Sequence, residues 1–399
     1  ISGAPVANVS TTGPFIIPLM KQVGYSPEVA AGIIGAAGTG GTILPPIMGA
    51  AAFIMAELTG IPYGKIIVAA ALPALLYYLG VFLCVDLEAG RTGMRGLPPS
   101  ELPSLREGLR HSLLFAVPLG VLVFLITVAK VSPLRAGLWG IAAIIATNLL
   151  LGPDRLRWPQ VIRAFEGAAR GTIIVTVAIA VSGIVVGAIN QTGLGLKLTE
   201  LLVLLAEDST FLLLVGAALA GLVVGFPLPV TASYILLAAI AAPAIAQAGF
   251  SLMQAHLFII YFAAFAPITP PVALASFAAA GIAEANPMTS SYVGWRYSLP
   301  AYIVPFMFMF GPELLLEGSW GQILLTVISS ALGVFALSCC VVGWWGRPLA
   351  WWRRGLALAA ALSLMWCGWQ TDLVGAAILI AALGKVRFPL GRVSKVCQS

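Results

Sequence analysis

Residues 24–46 read GYSPEVAAGIIGAAGTGGTILPP and residues 249–271 read GFSLMQAHLFIIYFAAFAPITPP. Each opens on glycine, an aromatic residue and serine and closes on a proline pair. Gly24-Tyr25-Ser26 and Pro45-Pro46 thus recur as Gly249-Phe250-Ser251 and Pro270-Pro271 at a constant offset of 225. A third signal precedes each copy: Gly3-Ala4-Pro5 in one, Gly225-Phe226-Pro227 in the other. The segments between, 5–20 and 227–248, are apolar but carry Asn8, Ser10, Thr11 and Thr12, or Thr231 and Ser233, near their starts, a pattern suited to re-entrant hairpins. The segments 28–57 and 254–283 are expected to be helices broken at Pro-Pro, since proline removes an intrahelical hydrogen bond and clashes with the preceding turn. Backbone groups freed at membrane depth are tolerated only where protein covers them or water lines them, and discontinuous helices of this kind build substrate and ion sites.

Membrane depth is implied by composition. Of 399 residues, 60% are hydrophobic and 9% charged, and no formal charge occurs between Asp208 and Glu284. A water-soluble chain carries about 25% charged residues, so the expected class is an all-α polytopic membrane protein. Uncharged stretches near spanning length lie at 66–85, 112–129, 136–151, 172–189, 210–226, 299–316 and 322–345. A final pair, 355–369 and 373–384, is too short to span without flanks and is expected to form a helical hairpin. Fifteen of the 21 basic residues fall in the polar stretches 86–111, 152–171, 347–354 and 385–395, which the positive-inside rule places on the cytoplasmic face. Counting crossings back from those loops opens the first hairpin to the inside and the second to the outside. The repeats are therefore expected to be inverted, as in alternating-access transporters. The parity leaves 190–206 open as a short span or an interfacial arm. The chain divides into a first repeat (1–85), cytoplasmic loops and scaffold helices (86–171), a second repeat (172–316) and a C-terminal membrane extension (317–399). It begins at Ile1 with no initiator Met, and the first repeat lacks the helices that precede Gly225, so the native polypeptide is expected to extend further.

Asn8 with Gly38, Gly41 and Thr42 forms the first candidate cation site, because glycine-rich unwinding exposes carbonyls beside an amide oxygen. Gly225, Thr231, Ser233 and Thr269 form its counterpart. The substrate region is expected near Ser10, Thr12, Pro45, Pro46, Pro270 and Pro271. Lys21 belongs to it if its ammonium assists a substrate anion; the ordinary alternative is snorkelling to the interface. His256 is expected to be a packed or interfacial histidine, and His111 to end a cytoplasmic loop. No HExxH motif or paired intramembrane carboxylates occur, which excludes the usual intramembrane enzymes. The five cysteines, Cys84, Cys339, Cys340, Cys367 and Cys397, lie in or beside apolar segments without a CxxC spacing. No basic patch interleaves with aromatics, so no nucleic-acid partner is expected.

Gly3-Ala4-Pro5-Val6-Ala7-Asn8, Ile17-Pro18-Leu19-Met20-Lys21, Gly38-Thr39-Gly40-Gly41 and Pro45-Pro46-Ile47-Met48-Gly49 together resemble the large membrane subunit of tripartite ATP-independent periplasmic (TRAP) transporters. The stretch from Asn8 to Tyr63 is most similar to the branch with fused membrane subunits and a TAXI-type partner. The resemblance implies a multi-pass importer of organic anions, mostly carboxylates, in the bacterial inner membrane. It also implies a sodium or proton gradient as the driving force, with no other cofactor, and an elevator-like domain. The implied partners are a periplasmic substrate-binding protein, a small membrane subunit and the lipid bilayer. Two other readings stay open: a dicarboxylate/sodium elevator symporter that needs no binding protein, and a channel.

Overall fold

The computed structural model describes residues 3–94, 105–151, 157–193, 197, 200, 209–366 and 368–384. The described residues form sixteen α-helices and no strands. The repeat is realised helix for helix. α1 (Pro5–Val23) leads into α2 (Pro27–Gly40), an interruption at 41–48, and α3 (Gly49–Thr59). α9 (Val230–Gln247) leads into α10 (Leu252–Phe265), an interruption at 266–273, and α11 (Leu274–Ala283). The offset of 225 carries both ends of α2 onto those of α10 and the start of α3 onto the start of α11. Ser26 and Ser251 are N-caps with the same backbone angles, φ −65° and ψ 154°, each hydroxyl accepting from the N–H three residues on. Met48 and Ala273 both stand in the left-handed region, φ 52° and 35°, immediately before the second half-helix. Proline has no N–H to donate and disfavours helical geometry in the residue before it, so both breaks fall around the proline pairs.

The two copies interlock. α1 packs on α2 and on α11 of the other copy, while α9 packs on α10 and on α3. This reciprocal exchange is the contact pattern of two units related by a two-fold pseudosymmetry.

Several expected boundaries are corrected. Residues 5–20 and 227–248 are not hairpins in themselves: the first lies within one continuous helix, α1, and the second is almost wholly taken up by another, α9. Apolar prolines at 14, 18 and 243 are accommodated inside these helices. In the second copy the hairpin pairs α9 with α8 (Thr210–Gly225), which reads in sequence as a separate span, and its turn is the short Phe226–Pro229 link. The stretch 299–316 is likewise not one span. α12 (Pro287–Tyr302) gives way at Ile303 to the short α13 (Val304–Phe310) and then to a 3-10 turn, because Pro300, Pro305 and Pro312 interrupt the hydrogen-bond ladder.

α4 (Tyr63–Thr92) continues beyond 85, so Arg91 is on its last turn, paired with Glu88 at 2.6 Å. α5 (Leu105–Thr127) and α6 (Pro133–Leu151) form a helical pair. α7 (Trp158–Thr192) begins inside the stretch expected to be a loop. The two readings of 190–206 fall largely on residues outside those described.

α4, α9 and α14 (Trp320–Val342) are long and apolar enough to cross a bilayer. Phe82, Phe115, Leu325 and Ile380 are among many large apolar side chains standing exposed on the surface, as a lipid-facing protein requires. The end of α14 is held by two arginines: Arg296 donates to the Val341 carbonyl at 2.9 Å and Arg354 to that of Cys340 at 2.8 Å.

The C-terminal hairpin forms as expected from α15 (Trp351–Met365) and α16 (Trp369–Leu383), packed together and against α14. At 15 residues each, these helices rise about 22 Å, short of the ~30 Å hydrocarbon core. Their tip is fastened to the middle of α14, where Ser329 donates to the Asp372 carboxylate at 2.5 Å. Ser329→Ala is expected to lower stability by about 1–3 kcal/mol by leaving that carboxylate unpaired, measured as a fall in the melting midpoint in detergent.

Candidate functional site

Asn8 lies on the second turn of α1, where it meets the C-terminal end of α2. Its side chain is 6% exposed and donates from Nδ2 to the Gly38 carbonyl at 2.8 Å. Two glycines make this approach possible. A Cβ on Gly41 would overlap the Asn8 amide, and one on Gly38 would lie 2.8 Å from Val9 Cγ2. The last carbonyls of a helix have no intrahelical partner and carry its negative dipole end. The Asn8 amide nitrogen and the carbonyl end of α2 therefore meet at one point, and amide and carbonyl oxygens are the ligands that a small hard cation takes.

A cavity of about 300 Å³ opens here, lined by Asn8, Thr11, Thr12, Ile16, Ile34, Ala37, Gly38, Gly41 and Tyr78. The structure thus brings together four residues expected from the sequence: Asn8, Thr12, Gly38 and Gly41. Thr42 is buried next to them and donates to the Thr39 carbonyl at 2.7 Å, while Ser10 is exposed on α1 outside the lining. Pro45 and Pro46 form the break, and Tyr63 donates its hydroxyl to the Pro46 carbonyl at 2.6 Å. A larger cavity of about 740 Å³, lined by loop and helix ends around Pro62, Tyr63, Lys130 and Glu317, contains none of the residues expected from the sequence to form the site.

The second copy is arranged differently. Gly225 backs directly onto Ala266, where any Cβ would overlap. Ser233 is fully buried and donates to the Pro229 carbonyl at 3.1 Å. Thr269 donates to the Phe265 carbonyl at 2.7 Å and pairs with the Tyr302 hydroxyl at 2.6 Å. Thr231 is half-buried on the first turn of α9, Pro270 is half-buried and Pro271 exposed. The hydroxyls of Ser233 and Thr269 are turned onto their own segments' backbone, so the structure does not gather this set as it gathers the first.

Lys21 is corrected. It neither snorkels freely nor reaches the cavity: its Nζ donates to the Ala283 carbonyl at 3.3 Å, capping the C-terminal end of α11. A cation there satisfies an orphan carbonyl and opposes the helix dipole. His256 is a packed histidine, its Nδ1 2.8 Å from the Tyr234 hydroxyl.

Sequence reading missed the tyrosines that hold the breaks open. Tyr77 donates to the Ala36 carbonyl at 2.7 Å and Tyr78 to that of Ala37 at 3.2 Å. The Tyr77 ring stacks on Phe265, which stacks on Tyr302, joining α4 and α12 to the end of α10. A signal was available, because Tyr77 and Tyr302 stand at the same offset of 225 as the proline pairs. Tyr77→Phe is expected to cost about 0.5–1.5 kcal/mol by removing this second hydrogen bond to the Ala36 carbonyl, read as a lower melting midpoint.

Residues 1–323 match the family described as the tripartite ATP-independent periplasmic transporter, DctM component. The chain belongs to this TRAP transporter family. A TRAP transporter large permease protein named from Haemophilus influenzae is 26% identical over 324 residues, covering 79% of this chain and 73% of its own length. The 2,3-diketo-L-gulonate TRAP transporter large permease protein of Escherichia coli is 23% identical over 323 residues, covering 79% and 73%. The C4-dicarboxylate TRAP transporter large permease protein of Vibrio cholerae is 29% identical over 110 residues, covering 28% of this chain and 23% of its own. This TRAP chain is a transporter permease and not an enzyme.

Proposed function

We propose that this permease carries a carboxylate across the bacterial inner membrane, driven by symport of sodium and fed by a periplasmic substrate-binding protein. The observation that supports this most is the cavity at the first break, where Asn8 and the carbonyl end of α2 offer oxygens to a cation beside space for a small organic anion. Two relatives are named for organic acids, 2,3-diketo-L-gulonate and C4-dicarboxylates. In the proposed cycle the interlocked unit of α1–α3 and α8–α11 moves as an elevator against α4 and α12–α14, with the repeats inverted across the membrane. A small membrane subunit and a TAXI-type binding protein complete the system. A sodium ion at Asn8, with a second bound elsewhere in the moving unit, would neutralise the cargo during the crossing, since a bare charge in the bilayer is costly.

The test is uptake of radiolabelled acids into proteoliposomes holding the complete membrane complex, with the purified binding protein added outside. Uptake is expected to require the binding protein and to rise with sodium at fixed membrane potential, with a Hill coefficient above one. Uptake that ignores sodium but follows a proton gradient overturns sodium coupling. Uptake without the binding protein overturns the partner and favours a self-sufficient symporter.

A further inference from the structure

We infer that the cargo bound in this site is a monoanion, a monocarboxylate with an apolar or hydroxylated body, and not a dicarboxylate. The inference rests on the carboxylate reading above and concerns the charge that the site can match.

No Lys or Arg occurs between residues 22 and 64 or between 198 and 295, the stretches that supply α2, α3 and α8–α11. Of the four cations that border them, Lys21, Lys65 and Arg296 are placed elsewhere, and Lys197 is not in the cavity lining. Lys21 is bonded to the Ala283 carbonyl, 13 residues along α1 from Asn8, a separation of about 20 Å at the helical rise. Arg296 is bonded to the carbonyls ending α14, and Lys65 lines the other cavity. His256 is committed to Tyr234. The cavity therefore has no fixed cationic side chain in its lining.

Its neutral donors are committed as well. Thr11 donates to the Ala7 carbonyl at 2.8 Å, Thr12 to that of Asn8 at 2.9 Å and Tyr78 to that of Ala37 at 3.2 Å. Their oxygens remain acceptors, suited to a hydroxyl on the cargo and repelled by a carboxylate. Positive potential comes from a co-bound cation, from the Asn8 amide N–H and from the N-terminal end of α1, worth about half a charge. One carboxylate can pair with that cation. A second would find no fixed cation in the described lining and would lie against the apolar side chains of Ile16 and Ile34 without a partner.

The experiment measures direct binding to the purified permease in saturating sodium, without the binding protein, so that only this site selects. The probes are carbon-matched pairs: butyrate with succinate and 3-hydroxybutyrate with malate, followed by calorimetry or thermal shift. At neutral pH each monocarboxylate is expected to bind at least about tenfold tighter than its dicarboxylate partner. The gap is expected to narrow as pH falls toward the second pKa of the diacid, where it becomes a monoanion. Ile16→Arg, which adds a guanidinium to the lining, is expected to narrow or reverse the preference. Equal or tighter dicarboxylate binding by the unaltered protein overturns the inference and leaves the carboxylate reading standing. If neither series binds in sodium, the carboxylate reading falls and the inference with it.

Discussion

Uptake is expected to fall on the order of 100-fold when Pro45-Pro46 or Pro270-Pro271 is replaced by Ala-Ala, the scale of loss that follows displacement of a binding geometry by about 1 Å. The prolines withhold two N–H groups and exclude helical geometry from the residue before them. With alanine, α2 can extend toward α3 and α10 toward α11, so the carbonyls of the 41–48 and 266–273 segments re-enter the helical ladder and leave the site. Proline in a helix interior costs about 3 kcal/mol relative to alanine. The substituted proteins are therefore expected to melt no lower than the parent, and higher if the helix closes fully. Uptake in proteoliposomes beside a melting curve for each double mutant separates the two effects. A break that serves only packing predicts near-normal uptake from both, which would remove the main ground for placing the site here.

The second large effect is expected at Asn8 and Gly41. Asn8→Ala removes the bond to the Gly38 carbonyl and an oxygen from the candidate cation site. Gly41→Ala places a methyl group where the Asn8 amide now stands and closes the same site sterically. Both are expected to raise the sodium concentration for half-maximal uptake by at least about tenfold, the equivalent of roughly 1.4 kcal/mol of lost binding. Gly281→Ala is the control, because a Cβ there meets open space and alanine is the better helix former by about 1 kcal/mol. It should keep normal sodium dependence and melt slightly higher. If Asn8→Ala and Gly41→Ala leave the sodium dependence unchanged, the cation does not bind at the first break.

How much of this was legible in the sequence varies from element to element. The repeat was, because two proline pairs, two Gly-aromatic-Ser turns and their common spacing are local features that act through backbone chemistry wherever they stand. Membrane class was legible from composition, and the glycine-rich end of α2 was legible as a place where carbonyls are exposed; that Asn8, 30 residues earlier, packs against it was settled by the fold. The extent of the helices was less so: Pro14 and Pro18 lie inside α1 without ending it, while Pro300 and Pro305 do interrupt the expected span. Identical local chemistry had opposite outcomes, a difference that the local sequence does not carry.

Partnership across the chain was decided by tertiary structure alone. Nothing near Lys21 in sequence indicates Ala283, and nothing near Asp372 indicates Ser329; these contacts exist because the interlocked repeats and the C-terminal hairpin bring distant helix ends side by side. The same holds for the unequal fate of the two copies. Sequence presents matched breaks, but Thr269 is occupied by Tyr302 and Gly225 is filled by Ala266, whereas Asn8 faces a cavity. Backbone preference is set within a few residues, so it can be read from the chain. Burial, cavity and charge pairing depend on which surfaces meet, and only the folded arrangement of the sixteen helices settles that.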